Sequence, residues 1–249
     1  MNQLLIEHDA GLTALTLNNP KQRNVLSVQL LKQLCGALED AAGNKSTAIL
    51  LRGNGPAFCA GFDLGAVVEE PLVLQELIVA LGDVTRRMRN HPVPIVLAAH
   101  GSVIAGGCAL LSAADIVVLG DQTKVGYPVH KLGVSPAVTL PTLLQTISEG
   151  PARALVMDGR LRTGIEAHRL GIGTHLVPEV DVQSEASRLA ASIAAHPASA
   201  TQETKHWIGT LDGSDDRARW DGPIAGSQPL AGGKEAVERM QAFWAKRRR

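Results

Sequence analysis

Short runs of apolar residues alternate along the chain with longer segments of helical periodicity. The apolar runs have the length of buried strands and cover residues 12–17, 47–51, 94–99 and 116–119. Two of the longer segments, residues 27–42 and 72–89, carry their leucines on one helical face, and Ser27 is placed to cap the first. Strands that alternate with helices in this way predict an α/β fold.

The sequence changes character in its last third. Thr163 and Glu166 have the spacing of a capping box, and the short helix that they open should end at Gly171. Ala-rich helical sequence then reaches Ala195, residues 209–233 depart from a helical pattern, and residues 234–246 are again amphipathic. We therefore predict a core domain over residues 1–195 and a C-terminal helical region over residues 196–249.

Composition excludes several classes of partner. The chain has 249 residues, with 24 Lys and Arg against 24 Asp and Glu, and its aromatic residues are three Phe, three Trp and one Tyr. A neutral chain with few aromatic residues argues against a nucleic acid or an anionic membrane as partner. No apolar run is long enough to span a bilayer, and the N-terminal residues do not resemble a signal peptide.

Three cysteines, Cys35, Cys59 and Cys108, are odd in number and have no metal-ligand spacing. They predict a reducing compartment and no metal site. We expect a cytoplasmic protein.

Two glycine-rich loops could carry chemistry. Residues 53–63 and residues 100–107 each follow a strand-like run. Small residues let a ligand approach the main chain, so such loops can present backbone N–H groups to an anionic oxygen. The second loop is expected to open a helix near Gly106, which adds the positive end of a helix dipole. Neither a dinucleotide-binding G-x-G-x-x-G nor a phosphate-binding Gly-Lys-Ser/Thr is present.

Taken with these loops, several segments resemble the crotonase (enoyl-CoA hydratase/isomerase) superfamily in order and spacing. They are residues 18–20, 23–27, 58–64, 101–115, 126–128, 131–133, 159–171 and 242–247. The resemblance covers residues 10–178 well and the final helix loosely. It implies a crotonase-like spiral of strand-strand-helix units and a C-terminal helical trimerisation region, hence a homotrimer or a dimer of trimers.

The resemblance also implies a site for an acyl-CoA thioester, with coenzyme A as part of the substrate and no tightly bound cofactor. Two backbone N–H groups, mapped to Ala60 and Gly106, would form an oxyanion hole. Thioester enolisation places negative charge on the carbonyl oxygen, and two preoriented amides suit that oxygen.

Coenzyme A contacts are implied at further positions. The diphosphate should lie near Arg23, and the adenine near Asp63 and Leu64. Phe243 and Lys246 of the last helix should reach the coenzyme A of a neighbouring subunit.

The sequence departs from the family where hydratases carry their two glutamates. Those positions are Ala109 and Val129, and neither side chain can transfer a proton. We therefore expect no efficient hydratase. His130 and Tyr127 are the nearest acid or base candidates, although His130 should point the other way on extended chain and Tyr127 suits turn packing.

Three functions stay open at this point. The chain could be a lyase-type or isomerase-type acyl-CoA enzyme, a non-catalytic acyl-CoA binding protein, or a crotonase-type decarboxylase or thioester hydrolase. A titratable side chain close to the carbon beside the thioester carbonyl would favour an enzyme, and an all-apolar lining would favour a binding protein.

Overall fold

A six-stranded sheet organises the structure, a computed structural model that describes residues 2–247. Its strands, in spatial order, are β1 (Leu4–Asp9), β2 (Leu12–Leu17), β3 (Ala48–Gly53), β4 (Ile95–Ala99), β6 (Ile116–Gly120) and β8 (His175–Val177). β1 pairs antiparallel with β2, and every other neighbouring pair is parallel. All four predicted strands are present.

A second sheet has two short parallel strands, β5 (Ser102–Ile104) and β7 (Lys124–Gly126). In its register Ile104 lies opposite Gly126. The residues that follow the two strands therefore lie side by side, which decides the geometry of the candidate site.

Eleven helices are assigned within residues 2–247. They are α1 (Val28–Gly43), α2 (Leu64–Glu69), α3 (Val73–Arg89), α4 (Gly106–Ala113), α5 (Leu140–Thr146), α6 (Glu149–Asp158), α7 (Gly164–Arg169), α8 (Val182–Ala194), α9 (Ala198–Asp212), α10 (Ala218–Ala231) and α11 (Lys234–Arg247). Single 3-10 turns occur at Pro20–Gln22, His130–Leu132, Ala137–Thr139 and Glu179–Asp181. No helix among these residues is long and apolar enough to cross a lipid bilayer.

Two predicted helix starts are confirmed in atomic detail. The Ser27 hydroxyl accepts a hydrogen bond from the Leu30 N–H at 3.1 Å, which caps α1. Thr163 and Glu166 form the reciprocal capping box that opens α7.

Helices cover both faces of the large sheet. The larger apolar core contains the buried leucines of α1 and α3 together with α4 and one face of the strands. On the other face α8 packs against β3, β4 and β6, and buries Val182, Ala186 and Ala190 there. The result is a layered α/β arrangement in which the second glycine-rich loop lies beside the core helices.

The sequence prediction was wrong over residues 209–233. α9 extends to Asp212, and α10 occupies Ala218–Ala231 although Pro223 and Pro229 lie inside it. The reason is tertiary packing: Trp220 is 1% exposed, and its indole N–H donates to the Ser214 carbonyl oxygen. Burial of that side chain and contact of α10 with α3 override the low helical propensity of this segment.

α11 packs on its own chain. Ala236 and Met240, on the apolar face of this amphipathic helix, are buried in the main core. The same core includes Ala231 of α10, so the C-terminal helices extend the core of the residues before 195.

An ion pair between Lys205 and Asp115 connects α9 to the sheet. The Lys205 ammonium, in a residue only 8% exposed, donates to Asp115 Oδ2 at 2.6 Å and to the Val93 carbonyl oxygen at 3.2 Å. Asp115 Oδ2 also accepts from the Ile95 N–H at the start of β4. Burial outweighs the attraction of Asp115 and lowers the pKa of Lys205.

Candidate functional site

Most of the predicted site residues line one large cavity. Its volume is about 1050 Å³, and both glycine-rich loops and α11 line it. Eight of the nine residues predicted for the site are in its wall: Arg23, Ala60, Asp63, Leu64, Gly106, Tyr127, Phe243 and Lys246. The ninth, His130, is exposed at the start of a 3-10 turn and is not among the lining residues.

The first loop holds a free amide, two residues beyond the predicted one. The Ala60 N–H donates to the Arg23 carbonyl oxygen at 3.0 Å and is not available to a ligand. Leu26 pairs with the loop through the Gly61 carbonyl oxygen and the Asp63 N–H. The Phe62 N–H between them has no acceptor among the described residues. The free N–H group of this loop is therefore that of Phe62, whereas we expected that of Ala60.

The second loop ends in a strained residue that directs the next amide. Ala105 has φ 49° and ψ −103°, a conformation that costs a residue with a side chain about 1–3 kcal/mol. Its N–H donates to the Gly126 carbonyl oxygen at 2.9 Å, and its own carbonyl oxygen accepts the first hydrogen bond of α4, from Ala109. The Gly106 N–H, at the first position of the helix, has no intrahelical acceptor. Strain at Ala105 therefore fixes the direction of a free N–H group.

Glycine allows the two loops to touch. Gly101 has φ +63°, and a Cβ atom there would lie 1.9 Å from the Pro56 carbonyl oxygen. A Cβ atom on Gly61 would lie 3.2 Å from the Ile104 carbonyl oxygen, and one on Gly106 would lie 3.5 Å from the Phe62 ring. Because the loops meet backbone to backbone, Phe62 and Gly106 are neighbours.

The cavity wall is apolar at the two positions where the resemblance places the hydratase glutamates. Ala109 and Val129 both line it, as do apolar side chains of α3. Asp63 contributes the one carboxylate among the described lining residues, and its Oδ1 accepts the Gly65 and Ala66 N–H groups as the cap of α2. None of the lining residues that the structure describes is a histidine.

Tyr127 is a buried phenol in this wall. It is 2% exposed, and its hydroxyl oxygen lies 2.9 Å from Thr139 Oγ1. Burial raises the pKa of Tyr127 well above its ordinary value, with a smaller opposing effect from the hydroxyls of Thr139 and Ser112. The phenol is therefore neutral near pH 7, can donate a hydrogen bond, and is a weaker acid than an exposed tyrosine.

Cationic side chains from distant parts of the chain gather around the cavity. They are Lys21, Arg23, Lys124, Lys131, Arg239 and Lys246. Sequence reasoning identified Arg23 and Lys246 and missed the other four, since no local pattern connects them. Packing of α11 over α2 adds Arg239 and Lys246 to this group. Trp244 of the same helix lies 3.4 Å from the position of a Cβ atom on Gly65.

Comparison with known proteins assigns the chain to a family. The family model described as enoyl-CoA hydratase/isomerase matches residues 7–219. The chain belongs to the enoyl-CoA hydratase/isomerase family. The predicted superfamily is thereby confirmed.

Curated relatives of the enoyl-CoA hydratase/isomerase chain include human enoyl-CoA hydratase domain-containing protein 3, mitochondrial. It is 32% identical over 187 residues, which cover 74% of this chain and 62% of the human protein. The 2,3-dehydroadipyl-CoA hydratase of Escherichia coli K12 is 31% identical over 212 residues, covering 82% of this chain and 81% of that protein.

Solved structures of the family share the fold. An enoyl-CoA hydratase/isomerase from Mycobacterium paratuberculosis superposes with a TM-score of 0.89 at 21% identity, over 97% of this chain and 98% of the other. An enoyl-CoA hydratase from Mycobacterium avium gives 0.83 at 26% identity, over 99% and 97%. The predicted crotonase-type α/β fold is therefore confirmed, and trimerisation stays a prediction.

Proposed function

We propose that the chain binds an acyl-CoA thioester in this cavity and polarises its carbonyl group with the N–H groups of Phe62 and Gly106. The observation that carries the proposal is the pair of unsatisfied amides on touching loops that line one cavity. Two fixed donors stabilise the oxygen that gains negative charge when a thioester forms an enolate or a tetrahedral intermediate.

The cavity also suits coenzyme A itself. The cationic residues offer charge-assisted contacts to its phosphates, and Asp63 and Leu64, against which we expect the adenine, line the same cavity. Phe243 and Lys246 line the cavity of their own chain. In this proposal they contact coenzyme A bound by the same subunit, which replaces our expectation of a neighbour.

The proposed enzyme is not an efficient hydratase, because hydration needs proton transfer at positions that hold Ala109 and Val129. The alternative is a non-catalytic acyl-CoA binding protein, which the apolar wall around these two residues favours. Tyr127 favours an enzyme, since it places a proton donor in the same wall.

A panel of acyl-CoA thioesters separates these functions. Each thioester is incubated with the full chain, its loss is followed by mass spectrometry, and thermal shifts are recorded in parallel. Loss of a thioester identifies an enzyme, and a thermal shift without loss identifies a binding protein. A panel that gives neither contradicts the proposed function.

We predict that Arg23→Ala weakens the binding of coenzyme A by about 1–3 kcal/mol and makes it less dependent on salt, because a charge-assisted phosphate contact is lost. Isothermal titration calorimetry at two salt concentrations measures both effects. Lys32→Ala is the matched control, since Lys32 is an exposed cation of α1 outside the cavity. Equal affinities of the two variants for coenzyme A would contradict a phosphate contact at Arg23.

We also predict a trimer or a dimer of trimers. The support is family membership together with exposed apolar residues on α9, where Ile208 is 53% and Leu211 82% exposed. Light scattering of the full chain should give a mass that is a multiple of three subunits. A monomer would contradict the prediction.

A further inference from the structure

The two glycine-rich loops form one paired unit behind the proposed oxyanion hole. The Phe58 N–H donates to the His100 carbonyl oxygen at 2.9 Å, and Cys59 pairs with β5 through both its N–H and its carbonyl oxygen. Phe62 and Gly106, the two proposed donors, follow this paired unit within a few residues. The position of the unit therefore decides whether the two donors face the same oxygen.

A carboxylate from a distant part of the chain holds this unit. Glu179, in the 3-10 turn after β8, accepts the Gly101 N–H through Oε1 and the Thr123 hydroxyl through Oε2, the latter at 2.9 Å. Gly101 is the residue before β5, and Thr123 is the residue before β7. One carboxylate therefore fixes the starting points of both strands of the small sheet.

The surrounding fold fixes the Glu179 side chain in turn. Asp121 Oδ1 accepts the Glu179 N–H at 3.0 Å. A Cβ atom on Gly120 would lie 2.1 Å from Glu179 Oε2, so glycine at this position lets the carboxylate approach the end of β6. Thr123 is fully buried, and its hydroxyl also lies 3.1 Å from the Ala99 carbonyl oxygen at the end of β4. The carboxylate thus connects the large sheet to the small one.

A second side chain of the same segment holds the beginning of the first loop. Gln183, in the first turn of α8, donates through Nε2 to His100 Nδ1 at 3.1 Å. The same Nε2 lies 3.4 Å from the Gly53 carbonyl oxygen. His100 then donates through Nε2 to the Gly55 carbonyl oxygen at 3.0 Å. Residues 179–183 therefore contact the start of both glycine-rich loops.

These supporting side chains lie outside the cavity. The described lining residues do not include Glu179, Gln183, His100 or Thr123. A change at Glu179 therefore acts on a bound thioester through the loops and not by contact. Donors stabilise an oxyanion best when they are fixed before the charge develops, so a displaced loop weakens the polarisation of the carbonyl group.

We propose that Glu179 is a positioning residue that sets the two oxyanion donors from behind the loops, with Gln183 as a second support. This inference rests on the proposed function. Without the carboxylate the Gly101 N–H loses its acceptor, and β5 can shift relative to the rest of the structure. The N–H groups of Phe62 and Gly106 then no longer converge on one oxygen at hydrogen-bond distance. The cavity wall that binds coenzyme A is kept.

Infrared difference spectroscopy of butyryl-CoA, labelled with carbon-13 at the thioester carbonyl, tests the inference on the full chain. Hydrogen bonds to the oxygen weaken the C=O bond, so the carbonyl band of the wild-type complex should lie at a lower frequency than that of free butyryl-CoA. Glu179→Met keeps the length of the side chain and removes both acceptors. We expect its band to return most of the way to the free frequency, with little change in the Kd from calorimetry.

Two control variants make this test specific. In Glu179→Gln the amide oxygen can accept the Gly101 N–H, and the amide N–H can donate to the Thr123 oxygen, whose own hydrogen then goes to a carbonyl oxygen of β4. Its band should stay near that of the wild type. Glu185→Met removes a carboxylate of α8 that pairs with Arg188, and it should leave the band unchanged.

Gln183→Met is the second test variant, and it decides the question if Glu179→Met does not fold. It removes the support of the first loop, so its band should move in the same direction by a smaller amount. For any thioester that the acyl-CoA panel identifies as a substrate, Glu179→Met should lower kcat about 10²-fold with little change in KM, and Glu179→Gln should restore it.

The outcomes separate the inference from the proposed function. A band that shifts when wild-type protein binds butyryl-CoA, and that stays shifted in Glu179→Met and Gln183→Met, overturns the inference and leaves the proposed function intact. Equal bands for Glu179→Gln and Glu179→Met overturn positioning by these hydrogen bonds. A wild-type complex whose band matches that of free butyryl-CoA, or the absence of binding, overturns both.

Discussion

Crotonyl-CoA should be hydrated by this chain at least about 10⁴-fold more slowly than by a family member with both glutamates. Each general acid or base commonly contributes 10²–10⁴-fold, and the positions of both are occupied by Ala109 and Val129 in the cavity wall. The oxyanion hole alone polarises the thioester but neither activates water nor protonates the α carbon.

The rate is measured by loss of the enoyl absorbance and by mass spectrometry of the product. Calorimetry with butyryl-CoA on the same preparation shows that the site is folded and accessible. A turnover near 10³ s⁻¹ would contradict the prediction, since such rates lie at the upper end of typical kcat values. His130→Ala would then be the next variant, because abolished activity with intact binding would identify His130 as the missing group.

Lys205→Met should lower the free energy of unfolding by about 3–5 kcal/mol. Removal of the buried Lys205 ammonium takes away the cation that balances Asp115, whose side chain is 25% exposed. Asp115 would keep the Ile95 N–H and lose the ammonium group at 2.6 Å. Unfolding in urea, followed by circular dichroism, measures the change.

Two further variants make the Lys205 test specific. Lys234→Met removes an exposed lysine side chain, 88% exposed on α11, and should change stability by less than about 0.5 kcal/mol. Adding Asp115→Asn to Lys205→Met should recover part of the loss, because the unpaired charge is removed. Equal stability of Lys205→Met and Lys234→Met would show that the buried pair contributes nothing.

Local patterns predicted much of the fold. The cap at Ser27, the capping box at Thr163 and the four apolar strands follow from interactions within a few residues. The short strands β5 and β7 were missed, since three residues carry too little periodicity to be recognised.

Long-range contacts explain the remaining differences. The Ala60 N–H is not free, because it donates to the carbonyl oxygen of Arg23, 37 residues earlier in the chain. The helix α10 depends on the burial of Trp220 and on contact with α3, which together outweigh two prolines. Neither contact can be derived from local sequence, because each partner comes from another part of the chain.

α11 contributes side chains both to the apolar core and to the cavity wall. Met240 is packed in the core, and Phe243 and Lys246 line the cavity. A ligand that contacts these residues stabilises the docked helix relative to a frayed one. If the site exists only when the helix is docked, the stabilisation free energy is RT ln(1 + [L]/Kd). Amide hydrogen exchange along α11 should therefore slow as the ligand concentration rises. Affinity for the ligand and order at the C-terminal end of the chain would then vary together in every variant of this helix.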